Sequence, residues 1–382
     1  MAKGIYIGVD NVAKKVKKIY VGVGNVAKKV KKIYIGVGGV AKLCYASGPE
    51  LSKVGTISNL SSNRSYLAGN YIGSYALFAG GYDGSSALKT VETYVIPTLT
   101  RSSVGDLATS TYVLATARTQ NSVVFAGGYD GSSDRSSMTS YYSNLTRATS
   151  ISLTFASEDL LGTGPIGNCA LFGGGINNNT YLNTVNSVNK NSVVSNITAF
   201  PIAKANGAAT TVGSYALFGG GYTGSSYSDE VYAYDSNFTQ SIPSALAQKR
   251  ASLAATTIGS YALFGGGYNG NDLNKVDAYN TNLVRSNPST LNNVTSRLSA
   301  ASINEYFALF AGGRYKSGSS YYARSYVIAF DPNLTRSYGD SLSNGRSNFA
   351  GVGVGSYSIF AGGIDPRNGT ANNYVDAYVV ST

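Results

Sequence analysis

One short sequence motif occurs seven times along this chain of 382 residues. Each copy is an apolar run that ends in Phe, a small residue and two glycines, and the phenylalanines are Phe78, Phe125, Phe172, Phe218, Phe264, Phe310 and Phe360. The steps between them are 47, 47, 46, 46, 46 and 50 residues. A fixed period of this size with one such strand per repeat predicts an all-β fold, a β-propeller of seven blades.

A second apolar position, aromatic in six of the seven repeats, follows each phenylalanine by 15 to 20 residues. The segments EVYAYDSN (230–237) and YVIAFDPN (326–333) contain this second position, and they resemble the V-x-x-Y-D strand of kelch repeats. Residues 50–382 are therefore similar to a kelch-type propeller, but they lack the Trp that follows this strand in the family. Both positions are expected to pack in the core, and the second set is Tyr94, Tyr141, Val188, Tyr234, Tyr279, Phe330 and Tyr378.

The chain ends just after the third strand of its last repeat, at YVDAYVVST. Residues 51–56, which precede the first repeat, align with the fourth-strand region 237–242. We therefore expect the segment near 51–56 to supply the outer strand of the last blade, which closes the ring and removes a free sheet edge. The predicted domains are a basic β-repeat segment at 1–44 and a seven-bladed kelch-like propeller at 45–382.

Residues 1–44 carry a different repeat, of period 14, with the copies IYIGVDNVAKKVKK, IYVGVGNVAKKVKK and IYIGVGGVAKLC. Asp10-Asn11, Gly24-Asn25 and Gly38-Gly39 separate two runs in each copy, and such pairs suit two-residue hairpin turns. In the middle copy this places Tyr20 opposite Lys29 and Val21 opposite Lys28. We expect a small β-hairpin segment that forms a sheet of about six short strands with one apolar face, because Ile, Val, Tyr and Gly disfavour a helix.

Ten lysines against one aspartate give this segment a charge of +9, out of a formal +11 for the chain. A solvated lysine face, docking onto an acidic protein surface and nucleic-acid binding are the three explanations. Nucleic acid is not an expected partner, because the segment has no arginine and no aromatic stacking platform of the usual kind.

The text KKIYVGVGNVAKKVKKIYIGVGGVAK resembles N-terminal segments of tail and other virion-associated proteins from phages and prophages of Gram-positive bacteria. The resemblance spans Lys3 to Lys42 and implies an attachment segment on a virion that is made in the bacterial cytoplasm. It further implies other virion or tail proteins as partners, with the chain present as a homo-oligomer. The expected attachment residues are Tyr6, Lys14, Lys15, Tyr20, Lys28, Lys29 and Tyr34.

The chain has no histidine, which excludes a Ser-His-Asp triad, a Cys-His pair and any histidine-bound zinc or copper. We expect no enzymatic activity, no cofactor and no metal, although a carboxylate pair for glycoside hydrolysis stays open. No apolar run approaches the roughly 20 residues of a membrane span, so no membrane association is expected. Cys44 and Cys169 are expected to be small buried thiols rather than a bridge.

The loops after the Gly-Gly pairs are the expected binding surface, because loops on a rigid scaffold often carry function. They are rich in Tyr, Asn, Asp, Ser and Gly, a mixture that suits adaptable recognition and sugars. A structural explanation is also open, since a fixed blade position and a good Asp-Gly turn predict the same repetition. The expected ligand-binding residues are Tyr82, Asp83, Tyr129, Asp130, Asn178, Tyr222, Tyr268, Tyr315 and Tyr321.

These features together predict a phage virion protein of the tail or its host-facing end. Its N-terminal segment would attach to the particle, and its propeller would bind a ligand of the host surface, expected to be a glycan. One alternative is a purely structural capsid or tail decoration protein without a ligand, and another is a glycan-degrading enzyme.

Overall fold

The computed structural model describes residues 6–9, 12–15, 19–23, 26–30, 32–37, 40–46, 48–148 and 151–381. Strands and their connections make up these residues, which confirms the predicted all-β class. No helix among them is long and apolar enough to cross a membrane. Contacts divide the chain into two compact units, Met1–Leu51 with Val380–Thr382 and Ser52–Val379.

The N-terminal repeats form three antiparallel strand pairs, which are β1 (Tyr6–Val9) with β2 (Val12–Lys15), β3 (Tyr20–Val23) with β4 (Val26–Lys29), and β5 (Lys32–Val37) with β6 (Val40–Ala46). The register places Tyr20 opposite Lys29 and Val21 opposite Lys28, as expected. The three predicted turn pairs lie outside the described residues.

Each hairpin is a separate two-stranded sheet in the described residues, so the expected assembly of six strands into one sheet is wrong. Short loops close at little entropic cost, which favours pairing within one copy of the repeat over pairing between copies. Tyr20 and Val21 are neighbours on β3 and point to opposite faces, yet they are 55% and 51% exposed. Neither face is therefore covered at this point of the hairpin.

The second unit is a seven-bladed β-propeller, and each blade is a four-stranded sheet. From the axis outwards, blade 1 consists of β8 (Ala68–Ile72), β9 (Tyr75–Ala79), β10 (Val91–Val95) and β11 (Thr100–Val104). Blade 2 consists of β12 (Ala115–Arg118), β13 (Ser122–Ala126), β14 (Ser137–Tyr142) and β15 (Ile151–Ser152). Blade 3 consists of β16 (Leu161–Ile166), β17 (Cys169–Gly173), β20 (Val185–Asn189) and β21 (Val194–Ile197). The small hairpin β18 (Ile176–Asn177) and β19 (Thr180–Tyr181) lies within a loop of blade 3.

Blades 4 and 5 consist of β22 (Ala208–Val212), β23 (Tyr215–Gly219), β24 (Val231–Tyr234) and β25 (Gln240–Ser241), and of β26 (Ala254–Ile258), β27 (Tyr261–Gly265), β28 (Val276–Asn280) and β29 (Arg285–Ser286). Blade 6 consists of β30 (Ser299–Ile303), β31 (Phe307–Ala311), β34 (Val327–Phe330) and β35 (Arg336–Gly339), with the loop hairpin β32 (Arg314–Ser317) and β33 (Ser320–Ala323).

Blade 7 combines strands from both ends of the chain, in the order β36 (Ala350–Val354), β37 (Tyr357–Ala361), β40 (Val375–Ser381) and β7 (Glu50–Lys53), with the loop hairpin β38 (Ile364–Asp365) and β39 (Thr370–Ala371). The strand β7 overlaps the segment 51–56 that the sequence analysis assigned to this position. Just after it, Val54 N donates to Ala377 O at 2.8 Å, and Lys53 Nζ lies 2.7 Å from Asp376 Oδ1. The inner strand β36 contacts β8 of blade 1, which closes the ring.

The repeated aromatic residues form the core, as predicted. In six blades the phenylalanine of the second strand meets the aromatic ring of the third strand edge-on, for example Phe264 and Tyr279 with centroids 5.9 Å apart. The phenylalanine also packs across the blade interface, since a Cβ on Gly219 would lie 2.8 Å from Phe264. A buried tyrosine hydroxyl needs a partner, and Tyr279 Oη donates to Ser244 O at 2.7 Å.

The Gly-Gly pairs lie where one blade meets the next. Gly220 has φ +67°, and a Cβ there would lie 2.6 Å from the carbonyl oxygen of Arg250 in blade 5. The amide of Gly221 donates to the same oxygen at 2.8 Å. The equivalent bond occurs at all seven interfaces, and it closes the ring at Gly363 N and Arg64 O.

Cys169 is a free thiol at the start of β17, and it is partly exposed, so the expectation of a buried thiol is wrong for this residue. Its surroundings still raise the pKa of the thiol by desolvation. The side chain of Cys44 lies outside the described residues.

Candidate functional site

Seven residues, one from each blade, form a closed circle of main-chain hydrogen bonds around the propeller axis. Each amide donates to the carbonyl oxygen of its counterpart in the preceding blade, at 2.8 to 3.3 Å, and the circle closes from Tyr66 N to Asn348 O. Every member has φ between 51° and 58°. We call this set the axial ring, and its members are Tyr66, Val113, Asp159, Asn206, Ser252, Arg297 and Asn348.

The axial ring places residues other than glycine in the left-handed region of the backbone. Asn and Asp visit this region with little difficulty, but the β-branched Val113 and the bulky Tyr66 do so at a cost. The conformation persists because each residue lies just before an inner strand whose register is set by the blade. The circle of hydrogen bonds then holds all seven residues together, and it leaves their side chains free to differ.

These side chains surround the axial mouth, a cavity of about 600 Å³. Its lining combines the seven members of the axial ring with Tyr82, Tyr112, Leu253 and Leu298. Tyr112 contacts three other tyrosine rings, at centroid distances of 6.3 Å from Tyr66, 5.1 Å from Tyr82 and 5.7 Å from Tyr129. One side of the mouth is therefore an aromatic surface.

A second pocket of about 250 Å³ adjoins the axial mouth and shares Asp159, Asn206, Ser252 and Arg297 with it. One wall is a row of four tyrosines in edge-on or tilted contact, with successive centroids 5.8, 5.1 and 5.9 Å apart. We call this space the tyrosine pocket, and its aromatic wall consists of Tyr181, Tyr222, Tyr227 and Tyr268.

Polar groups of the axial ring connect to one another across blades 3 to 5. Ser252 Oγ donates to Asn206 Oδ1 at 3.1 Å, and Asn206 Nδ2 donates to Asp159 Oδ2 at 3.4 Å. Desolvation raises the pKa of Asp159 to about 6, although the positive charge of Arg297 opposes this shift. Desolvation, followed by the charges of Asp159 and Asp134, raises the pKa of the neighbouring Glu158 to about 7.

The opposite side of the site is basic. Arg297 Nη1 donates to Tyr66 Oη at 3.2 Å, across a chain separation of 231 residues. Arg314, at the start of β32, also lines the tyrosine pocket, and its guanidinium carbon lies 4.0 Å from the ring centroid of Tyr321. The site thus has carboxylates on blade 3 and guanidinium groups on blade 6.

The residues singled out from the sequence fall in different places around this site. Tyr82 lines the axial mouth, Tyr222 and Tyr268 line the tyrosine pocket, and Tyr129 contacts Tyr112. The side chain of Tyr321 stacks on Arg314, whereas Tyr315 lies between Tyr322 and Arg324. The main-chain bridges of these loops show which positions are equivalent: Tyr82, Tyr129, Ile176, Tyr222, Tyr268, Arg314 and Ile364.

The two aspartates of the predicted set close their own loops. Asp83 Oδ1 accepts from the amides of Ser85 and Ser86, which lowers the pKa of this carboxyl. Asp130 makes the same turn and also pairs with Arg135. Asn178 is exposed at the tip of the blade 3 loop. Among the predicted attachment residues, the side chain of Tyr20 is exposed and the other side chains lie outside the described part of the structure.

The axial ring was missed by the sequence analysis, although a signal for it exists. Its members precede the repeated phenylalanines by 12 or 13 residues, in the order Tyr, Val, Asp, Asn, Ser, Arg and Asn. Alignment of the repeats on phenylalanine would have shown that this column varies, whereas the next position is Leu in five of the seven repeats.

The central channel below the mouth is lined by residues of the inner strands, most of them small, but also by Tyr71 and Arg118. It encloses a cavity of about 400 Å³, bordered by positions such as Gly69, Thr210, Thr256 and Ala301. No group of three Asp, Glu, Cys or His side chains that could hold a metal occurs in the residues that the structure describes.

No protein-family model matches this chain, and no curated protein matches it significantly.

Proposed function

We propose that this chain is a phage virion protein whose propeller binds a host-surface glycan at the axial mouth and the tyrosine pocket. The observation that carries the proposal is the row Tyr181, Tyr222, Tyr227 and Tyr268 beside the polar side chains of the axial ring. Tyrosines offer large apolar faces with a polar edge and lose little entropy on binding, which suits a sugar ring.

The particle assignment comes from the N-terminal segment. Its repeated motif, its period and its lysine content resemble attachment segments of phage tail and other virion proteins. The side chain of Tyr20 is exposed, as contact with a partner requires. The propeller repeats resemble kelch repeats in their Gly-Gly pairs and in the V-x-x-Y-D strand. We propose that the segment 1–44 joins the chain to other virion proteins and that the kelch-like propeller is the host-facing part.

Binding to cells tests this proposal directly. The labelled full-length chain should bind intact Gram-positive host cells, and polysaccharides extracted from their envelopes, in a saturable manner. The variant Tyr222→Ile with Tyr268→Ile should lose this binding, because it removes two aromatic faces from the pocket. Isoleucine is already present at the equivalent positions of blades 3 and 7, Ile176 and Ile364, so the fold should tolerate it.

The matched control is Tyr338→Ile, which removes an exposed tyrosine of an outer strand that is not among the lining residues of either pocket. It should bind like the unmodified chain. If the folded protein binds neither cells nor polysaccharides yet is incorporated into particles, the propeller is a structural decoration without a ligand.

One observation favours a second candidate, a glycan-degrading enzyme. A glutamic acid with a pKa of about 7, such as Glu158, is able to donate a proton to a glycosidic oxygen at neutral pH. Release of reducing ends from the bound polysaccharide, abolished by Glu158→Gln, would establish this activity. Binding without release would leave the site as a recognition site.

A further inference from the structure

The tyrosine pocket contains two guanidinium groups next to each other. Arg297 comes from the axial ring and Arg314 from the start of β32, and the main-chain bridge between Ser296 and Arg314 holds their segments side by side. Burial and then the positive charge of Arg297 lower the pKa of Arg314, as expected for two cations in one pocket. Such an arrangement costs free energy unless a negative charge is close.

That negative charge does not come from an ion pair within the described part of the chain. No carboxylate of the described residues lies within 4.0 Å of either guanidinium group, whereas Arg64, Arg250 and Arg346 each pair with an acid. The negative charge of Asp272 acts on Arg314 and raises its pKa, against the larger effect of burial. Both carboxylate oxygens of Asp272 already accept hydrogen bonds, from Ser296 Oγ at 2.6 Å and from Lys316 N at 2.7 Å.

Asp159 is the other acid of the pocket, and it is also occupied. Its Oδ2 accepts from Asn206 Nδ2, and desolvation favours its neutral form. Among the described residues, Arg314 Nε is buried without a hydrogen-bond partner, and the one side-chain hydrogen bond of Arg297 goes to the hydroxyl of Tyr66. The two guanidinium groups therefore retain donors for an incoming group.

We propose that the tyrosine pocket selects a saccharide that carries a carboxylate or a phosphate, and that Arg297 and Arg314 bind this anionic group. The inference rests on the proposed glycan-binding function and adds its chemical class. Guanidinium groups match the planar carboxylate and the phosphate oxygens with paired hydrogen bonds. The sugar ring lies against the tyrosine wall.

The test uses the full-length chain and three soluble probes: trigalacturonate, maltotriose and phosphorylated maltotriose. Calorimetry at low salt should show binding of one or both anionic probes and weaker binding of maltotriose. Higher salt should weaken the binding of the anionic probe only. The carboxylate and phosphate probes distinguish the two sources of negative charge.

The variants follow residues that the repeat itself uses. Arg297→Asn places in the axial ring the residue found at Asn206 and Asn348, and Arg314→Ile copies Ile176 and Ile364. Each variant should lower the affinity for the anionic probe by about tenfold or more, which is the expected effect of losing hydrogen bonds to a charged group. The ratio of the affinity for the anionic probe to the affinity for maltotriose should therefore fall in both variants. The control Arg367→Gln removes the same charge from an exposed arginine of a blade 7 loop and should leave all affinities unchanged.

Two results distinguish the specificity for an anionic saccharide from the proposed glycan binding itself. Equal affinity for neutral and anionic probes, or unchanged affinity in both arginine variants, would overturn the anionic class while leaving glycan binding intact. Failure of the folded chain to bind any of these probes or the envelope polysaccharides would overturn both.

Discussion

Arg250 donates from Nη2 to Asp277 Oδ2 at 2.7 Å, and both side chains are fully buried within blade 5. The same two positions hold Arg64 and Glu92 in blade 1 and Arg346 and Asp376 in blade 7. In the other blades the two positions are Thr111 and Thr139, Ser157 and Asn186, Lys204 and Tyr232, and Thr295 and Ile328. An acid is therefore present only where an arginine is present.

This coupling predicts that loss of one partner is worse than loss of both. Asp277→Asn leaves the guanidinium of Arg250 buried without its counter-charge and should lower the free energy of unfolding by about 3–5 kcal/mol. The double variant Arg250→Thr with Asp277→Ile copies blade 6, where Thr295 and Ile328 border a cavity of only about 20 Å³. It should be more stable than the single variant in urea unfolding, and a double variant that is less stable would contradict the coupling.

Lys204 should make stability depend on pH. Burial lowers the pKa of this lysine to about 7, and its Nζ donates to Glu230 O at 3.0 Å and lies 4.2 Å from the ring centroid of Tyr232. Between this pKa and the ordinary value of 10.5 the unfolded chain binds a proton that the folded chain does not. Stability should therefore rise with pH across this range, by at most about 1.4 kcal/mol per pH unit.

Lys204→Met removes this contribution. Urea unfolding at several pH values between about 7 and 9 should show a smaller pH slope for the variant than for the unmodified chain. The control Lys89→Met changes an exposed lysine that pairs with Asp106 on the surface, and it should keep the original slope. Equal slopes in the unmodified chain and in Lys204→Met would show that Lys204 is protonated in the folded state.

Gly220→Ala should destabilise the propeller by about 1–3 kcal/mol or more, because it adds left-handed strain to a clash with a main-chain oxygen. The new Cβ would lie 2.6 Å from the carbonyl oxygen of Arg250, which already accepts a hydrogen bond from Gly221. Gly55→Ala is the control, since a Cβ at Gly55 has open space around it. A similar midpoint temperature of unfolding for both variants would mean that the interface between blades 4 and 5 accommodates the extra methyl group without loss of stability.

Removal of the N-terminal segment should separate the roles of the two units. A chain of residues 45–382 retains β7, so blade 7 keeps its fourth strand and the cooperative unfolding of the propeller should persist. A chain of residues 57–382 lacks β7 and the ion pair of Lys53 with Asp376, and it leaves the edge of β40 open. It should unfold at lower urea concentration or aggregate, and equal stability of the two truncations would exclude β7 as the closing strand.

Much of the fold was predictable because its causes are local or periodic. The phenylalanine of each second strand is recognisable wherever a short apolar run meets Gly-Gly, and Phe264 and Tyr279 lie only 15 residues apart. Two-residue turn signals likewise predicted the register of Tyr20 and Lys29. The independence of the three hairpins was not predictable, since the repeat is equally compatible with a continuous sheet.

The sequence by itself determined the strand class, the number of blades and the aromatic core, because repetition amplifies each weak local preference seven times. Only the tertiary structure decided the site. Arg297 meets Tyr66 across 231 residues of chain, and the two become neighbours only when seven blades close into a ring. Their left-handed backbone belongs to the closed circle of hydrogen bonds, and the residue types at these positions do not predict it.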